Sequence, residues 1–356
     1  MTDRNEVELL KALVAVPSVS GTEDAIARMV ESTARGWGLD LIRDDTGVKV
    51  LIETGRPGRG LAFISHLDVV PPGEGWTRDP FIPTVEGDRL YGRGSGDAKA
   101  SVAAMLLAAL DFAEQPGSEV GGTLMVVLGL GEETKNTTMG NAVASLPPIT
   151  AAVVGEPTNL DVAIAQRGLM MVDLMARGDQ RHAGYAADGA FTNAITRLAA
   201  DLVKLPSLCQ EREHPILGRT TITATMVQAG VSRNVTPPSA NAVLDIRSTP
   251  SWEHPEIGEA MRAALDCEVV VTSERLVPCE TPAGSKLLAA ALRVNPAAKP
   301  FGSPTCSDWV FVRHADAIKC GPGTSRRSHT ADEYVDLPEV TRARHFYRAL
   351  AEEYLR

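Results

Sequence analysis

Leu61-Ala62-Phe63-Ile64-Ser65-His66-Leu67-Asp68 decides how this 356-residue chain reads. Four apolar residues in succession suit a strand buried on both faces, and a histidine and an aspartate stand just past its end. The layout recurs. Residues 124–130 lead into Glu132-Glu133, and residues 151–154 into Glu156. Gly96-Asp97-Ala98-Lys99 opens an Ala-, Leu- and Met-rich stretch, 98–112, that predicts a helix. His329 follows near the C-terminus, in Ser328-His329-Thr330-Ala331-Asp332-Glu333. Two histidines with several carboxylates at strand ends make a mixed nitrogen and oxygen donor set, which suits zinc and also cobalt or manganese. Taken singly, each has a plainer reading. Asp97 would be a helix N-cap, Glu132-Glu133 a solvated turn, Glu156 a strand end before Pro157, and a lone histidine a satisfied core or surface residue. Their recurrence in one series favours the metal site.

Around this series, residues 5–16 have helical periodicity that Pro17 stops. Residues 22–37 read as a second helix, with Thr22 as N-cap and Gly36 and Gly38 near its end. Strand-like runs fall at 48–52, 61–64, 124–130 and 151–154. Helices alternating with continuous apolar strands predict an α/β fold with a doubly wound, mainly parallel sheet, whose ligands gather at the carboxyl ends of the strands. After Gln166-Arg167-Gly168 the pattern changes. Strand 169–176, helix 191–205, strands 221–228 and 240–247, helix 256–265 and strand 268–272 follow the order of a ferredoxin-like α+β unit. From about 280 the chain returns to helix, a strand at 315–320, a Gly321-Pro322-Gly323 turn, His329 and a last helix from Pro338. The expected organisation is a metal-binding domain of residues 1–167 and 280–356, with 168–279 inserted.

The bulk numbers fit. A chain of this length exceeds one comfortable core. With 35 basic and 45 acidic residues it carries −10, a poor match to nucleic acid or an anionic membrane. No apolar run reaches membrane-spanning length, and the N-terminus lacks a signal layout. Five cysteines (209, 267, 279, 306 and 320) form no close pairs, so reduced thiols and a cytosolic location are expected, with Cys306 and Cys320 as packing residues. His214, His254 and His314 lack motif context and are expected at the surface.

The stretches Ser65-His66-Leu67-Asp68-Val69-Val70-Pro71, Tyr91-Gly92-Arg93-Gly94-Ser95-Gly96-Asp97-Ala98-Lys99, Gly131-Glu132-Glu133, Gly155-Glu156-Pro157-Thr158 and Ser328-His329-Thr330-Ala331-Asp332-Glu333, in this order, resemble the co-catalytic zinc family of acetylornithine deacetylases, succinyl-diaminopimelate desuccinylases, aminoacylases and related carboxypeptidases. The resemblance implies a zinc-peptidase-like catalytic domain with an inserted lid that also mediates dimerisation. It implies two divalent metal ions, zinc first, bridged by Asp97. His66 and Glu156 complete one shell, and Glu133 and His329 the other. Asp68 orients His66, and Glu132 is the general base. In the lid, His182 matches a histidine that reaches the neighbouring subunit's site and stabilises the oxyanion. Asn193 follows it, and Asn234 and Arg247 match substrate contacts, Arg247 taking a carboxylate. Three positions depart from the pattern: Ala100 after Ala98-Lys99, Arg181 before His182, and Cys306 in Cys306-Ser307-Asp308.

The implied activity is hydrolysis of the amide of a small N-acyl amino acid in arginine or lysine synthesis. N-acetylornithine is the first expectation, on Trp76-Thr77-Arg78-Asp79-Pro80-Phe81. The alternatives are a hydrolase releasing lysine from N-acetyl-lysine or a carrier protein, succinyl-diaminopimelate desuccinylase, and a dipeptidase or aminoacylase. A non-catalytic metal or amino-acid binding protein is the rival from another class, and Glu132 speaks against it, since binding alone needs no base. Arg326-Arg327, just before His329, reads as a solvated pair or as a contact for an acidic substrate.

Overall fold

The structure, a computed structural model, describes residues 4–117, 119–134, 136–188 and 191–356. Two compact units emerge. The first comprises Met1–Ile164, Thr281–Phe301 and Ser307–Arg356, and the second Ala165–Glu280 and Gly302–Cys306.

The first unit is built on a sheet in the order Leu41–Asp44, Gly47–Glu53, Gly122–Gly129, Arg59–His66, Ala151–Val154, Asp316–Lys319 and Val162–Gln166. The four strands from Gly122–Gly129 to Asp316–Lys319 run parallel, and the flanking pairs are antiparallel. The largely parallel centre explains the uninterrupted apolar runs, because a strand with both faces covered has no polar side. Residues 61–64 and 151–154 are all buried. Register then sets the geography. His66 lies opposite Gly129, Ile64 opposite Val154, and Val154 opposite Lys319. The segments that follow these strands therefore leave the sheet along one edge.

Helix Ala100–Glu114 is rich in strong helix formers and buries nearly every side chain. It packs against the C-terminal helix Leu337–Leu355 in a shared core. Its start corrects an expectation. Ser95–Lys99 forms a separate irregular turn in which Asp97 has φ −121° and ψ 95°, and no side chain caps the helix. Asp97 is not an N-cap, and its carboxylate is free for other work. Thr22 is not a cap either. Its hydroxyl donates to the Val19 carbonyl, and the helix Asp24–Gly36 begins after Glu23.

In the second unit, four antiparallel strands lie in the order Thr221–Ala229, Ser239–Arg247, Leu169–Arg177, Glu268–Leu276. That is second, third, first, fourth along the chain, the ferredoxin-like arrangement, with helices Ala194–Lys204 and His254–Ala264. Here the strands alternate. Met170, Val172, Leu174 and Ala176, and Ala240, Ala242, Leu244 and Ile246, face the core. His214 and His254 are buried, against the expectation of a surface position, while His314 is exposed. Both ring nitrogens of His254 are bonded, whereas His214 is bonded through Nδ1 alone and its Nε2 has Glu280 Oε2 at 3.4 Å. His214 Nδ1 accepts from the Ile216 and Leu217 amides at 3.2 and 3.1 Å. His254 meets Ser248 Oγ through Nε2 and the Glu274 carbonyl through Nδ1, both at 2.7 Å. Among the described residues no helix is long and apolar enough to cross a membrane.

Candidate metal centre

Four of the residues in the opening series sit where a parallel strand has just ended. His66 is the last residue of its strand, Glu132 and Glu133 follow Gly129 by a short turn, and Glu156 follows Val154 by two residues. His329 arrives from the segment after Lys319 with a left-handed backbone, φ 65°. Asp97 comes from the turn before helix Ala100–Glu114.

The side chains converge. One ligand atom each of His66, Asp97 and Glu133 lie within 4.8 Å of one another. His66 Nε2 stands 3.4 Å from Asp97 Oδ1 and 3.8 Å from Glu156 Oε1. His329 Nε2 stands 3.0 Å from Glu133 Oε2 and 3.8 Å from Asp97 Oδ2. The two oxygens of Asp97 thus address different histidines. Glu156 Oε1 is buried and has no hydrogen-bond partner among the described residues. A buried carboxylate oxygen without a donor is costly unless a cation meets it.

Asp68 is fully buried and joins two parts of the site. Its Oδ1 accepts the Glu132 amide, and its Oδ2 accepts the Glu133 amide, both at 3.0 Å, with the Ser20 hydroxyl at 2.7 Å on Oδ2. His66 Nδ1 lies 3.0 Å from the Asp68 carbonyl and 3.5 Å from its Oδ1. The imidazole therefore meets both the main chain and the carboxylate of Asp68, and that carboxylate also holds the Glu132-Glu133 turn.

The electrostatics describe crowded negative charge. Burial pushes the Glu132 carboxyl well above its ordinary range, opposed by His66 and reinforced by Glu156, Asp308 and Glu133. Burial and the Asp97 charge push Glu156 up to about 8. His66 moves upward: burial opposes its charge, but Asp68 and Asp97 outweigh it. So many carboxylates around two imidazoles favour bound cations, and the donor set is the oxygen and nitrogen mixture that divalent zinc, cobalt and manganese accept. The residues present fit such ions.

Several contributors carried no signal that sequence reasoning used. Glu333 and Arg93 form a fully buried ion pair at 2.6 Å beside Asp97. Asp308 is buried, its Oδ1 has no hydrogen-bond partner among the described residues, and Asn136 donates to its carboxylate. An arginine between two glycines and an acid four residues past His329 were visible in the motifs, but only their burial marks them as structural partners.

His182, Asn193, Asn234 and Arg247 lie in the second unit. His182 is exposed, its Nδ1 accepts the Gly184 amide at 3.0 Å, and its ring meets Tyr185 edge-on. Asn234 accepts from Ser232 Oγ at 3.0 Å, and its carbonyl accepts the Ala183 amide. Asn193 caps helix Ala194–Lys204. Arg247 forks onto Asp245 of its own strand at 2.8 and 3.0 Å. Arg327 pairs with Asp336 and lies over the Tyr334 ring. No disulfide joins any of the five cysteines; Cys320 is buried and Cys306 partly so.

The chain was compared with known proteins. The model of peptidase family M20/M25/M40 matches residues 62–353. Succinyl-diaminopimelate desuccinylases are among the similar sequences. That of Methylorubrum populi is 28% identical, with 99% of each chain covered, and that of Cereibacter sphaeroides 30% identical, with 98% of each covered. Similar solved structures include aminopeptidase PepT from Bacillus cereus, with TM-score 0.81, 19% identity and full coverage of both chains. They also include the Bacillus subtilis YXEP protein, described as a dinuclear metal binding peptidase, with TM-score 0.77 and 17% identity over 98% of this chain and 97% of that one.

Proposed function

The chain belongs to peptidase family M20/M25/M40 and is a metallo-amidohydrolase acting on N-acyl amino acids, and on that premise we propose that it removes a succinyl group from the amine of a dicarboxylic amino acid of the diaminopimelate type. The observation that carries the hydrolytic reading is Asp97, whose two oxygens face His66 on one side and His329 on the other. Such a carboxylate can serve two ions at once. His66 and Glu156 would hold one ion, Glu133 and His329 the second, and zinc is the first choice. Bound divalent ions polarise an amide carbonyl and acidify water.

The chain's own residues supply the rest. Glu132, its amide fixed by Asp68, takes the proton of the attacking water and returns it to the leaving nitrogen as the C–N bond breaks. His182 accepts through Nδ1, so Nε2 carries the proton and can donate to the oxyanion. The inserted unit, 168–279, acts in this reading as lid and dimerisation element, with His182 serving the site of a second copy. Asn234 and Arg247 contact the substrate. Because the Arg247 fork is occupied by Asp245, a substrate carboxylate must displace Asp245 or use the remaining amine.

The succinyl preference is supported by the relatives at 28–30% identity. The acetylornithine reading rests on residues 76–81, where Arg78 is engaged with the Tyr91 ring at 3.9 Å rather than free for a ligand. A substrate panel tests the choice. N-succinyl-diaminopimelate, N-acetylornithine and N-acetyl-lysine are offered with zinc or cobalt, and free amine is measured. The succinyl substrate should give the highest kcat/KM, and a preference for N-acetylornithine would refute the proposal.

A further inference from the structure

Glu333 is absorbed by none of the roles above, yet it is 1% exposed and lies beside the proposed bridging ligand. Its Oε1 accepts two consecutive backbone amides, Gly96 at 3.0 Å and Asp97 at 3.1 Å. Its Oε2 takes Arg93 Nη1 at 2.6 Å. Arg93 is equally buried, donates Nη2 to the Pro72 carbonyl at 2.9 Å, and lies over the Trp76 ring. Adjacent strands lock the arrangement. Gly92 donates to the Glu333 carbonyl at 2.9 Å, and Tyr334–Asp336 pairs antiparallel with Arg89–Tyr91.

Two segments that each deliver a metal-facing side chain are thereby joined. Residues 91–99 deliver Asp97, and residues 328–336 deliver His329, four residues before Glu333. In the irregular turn at 95–99 the Ser95 and Lys99 amides donate to the Gly92 and Gly94 carbonyls, and the Gly96 and Asp97 amides donate instead to a single carboxylate oxygen. Burying an arginine and a glutamate together is poor value for stability by itself, since desolvation offsets most of the attraction. The pair makes more sense as a device that fixes geometry.

We propose that Glu333 is a positioning residue for the metal centre: it clamps the Gly96 and Asp97 amides so that both oxygens of Asp97 are aimed, and Arg93 holds the clamp in place. The proposal rests on Asp97 being a shared ligand, as proposed above. Partners just behind a metal ligand typically set about 10–100-fold in metal affinity.

The test removes the charges and varies only the acceptor. Arg93→Met/Glu333→Gln keeps an oxygen for the two amides, whereas Arg93→Met/Glu333→Met keeps the shape without it. Neither carries an unpaired buried charge. Cobalt is titrated into chelator-stripped protein and followed by calorimetry and by its visible absorption. The Met/Met protein should bind cobalt about 10–100-fold more weakly than the Met/Gln protein and give an altered cobalt spectrum. The Met/Met protein, with the Gly96 and Asp97 amides left without an acceptor, should also unfold at a lower temperature, so both proteins are titrated well below their metal-free unfolding midpoints. Wild type and Asp97→Ala run alongside. If wild type takes up cobalt and Asp97→Ala does not, but the two double variants bind alike, the clamp is refuted while the ligand assignment stands. If Asp97→Ala binds like wild type, the ligand assignment fails and the clamp with it. If neither double variant folds, the pair belongs to the fold and not to the site, which also overturns the proposal.

Discussion

Replacing Asp68 with alanine should loosen the catalytic unit and silence it at the same time. The carboxylate has no exposure and accepts three hydrogen bonds, two from the backbone amides of Glu132 and Glu133 and one from Ser20. The Ser20 hydroxyl can rotate toward another acceptor, but the amides cannot. Each orphaned buried amide costs about 1–3 kcal/mol, so the loss is about 2–6 kcal/mol. A second route gives a compatible figure. Burial raises the Asp68 carboxyl, but the His66 imidazole 3.5 Å away, with Ser20 and the Glu133 amide, outweighs it and holds it at about 2, below the ordinary 3.8. That fall corresponds to about 2 kcal/mol favouring the folded, ionised form. Since the folded value is depressed, this stability is complete above about pH 4 and fades as pH falls toward 2. Asp68→Ala and wild type should therefore differ most at neutral pH and converge in acid. Urea unfolding of metal-free protein, read by tryptophan fluorescence, measures it well, because Trp37, Trp76 and Trp309 lie in this unit. Asp68→Asn keeps one oxygen and should lose about half as much. Turnover of both variants should fall about 10–100-fold or more, because the turn presenting Glu132 and Glu133 loses its anchor. A variant within 0.5 kcal/mol of wild type by this rough scale of surface substitutions, or one with full turnover, would refute the reasoning.

Other outcomes follow from single side chains. Glu132→Gln should bind metal like wild type and lose about a hundred- to ten-thousand-fold in turnover, and near-normal turnover would remove Glu132 as the base. His182→Ala should leave metal content unchanged and cut turnover about a hundred- to a thousand-fold. Mixing it with Glu132→Gln under conditions of subunit exchange should restore part of the activity, and a dead mixture would show that His182 does not serve a second copy. In the second unit, burial holds the His254 imidazole below its ordinary 6.5, despite the Glu274 carbonyl. The neutral ring is the folded form, so its contribution is complete above about pH 6.5 and declines as pH drops through the lower folded value. His254→Gln should flatten the acid limb of unfolding as read by Trp252 fluorescence in the isolated-emission background Trp37→Phe/Trp76→Phe/Trp309→Phe, and an unchanged limb would count against the assignment.

The parts of the site that were legible are those where one residue type answers one local demand. A histidine or acid directly after an apolar strand is readable because a buried parallel strand announces itself by its missing polar face. The misreadings have a common origin. Asp97 looked like an N-cap because a small acid before a helix usually is one, yet the chain departs from helical geometry at that residue. His214 and His254 looked like surface residues because no motif surrounds them and a backbone partner leaves no mark in sequence. Their partners are backbone groups of a turn and a strand, and for His254 a serine six residues back.

Local periodicity and residue chemistry were enough to read the order of the principal helices and strands, the change of pattern after residue 168, and the acids and histidines past the strand ends; strands Leu41–Asp44 and Val162–Gln166 and helix Met139–Ala144 are too short to have been read that way. Which atoms face which came from the fold. The register between Arg59–His66, Gly122–Gly129 and Ala151–Val154 brings residues ninety positions apart to one sheet edge. The fold also turns the two oxygens of Asp97 toward separate histidines, sets the Asp68 carboxylate between His66 and the Glu132-Glu133 turn, and buries Glu333 against the Asp97 amide. Directions and hydrogen-bond partners across such separations are fixed by packing, and a one-dimensional pattern holds no record of them.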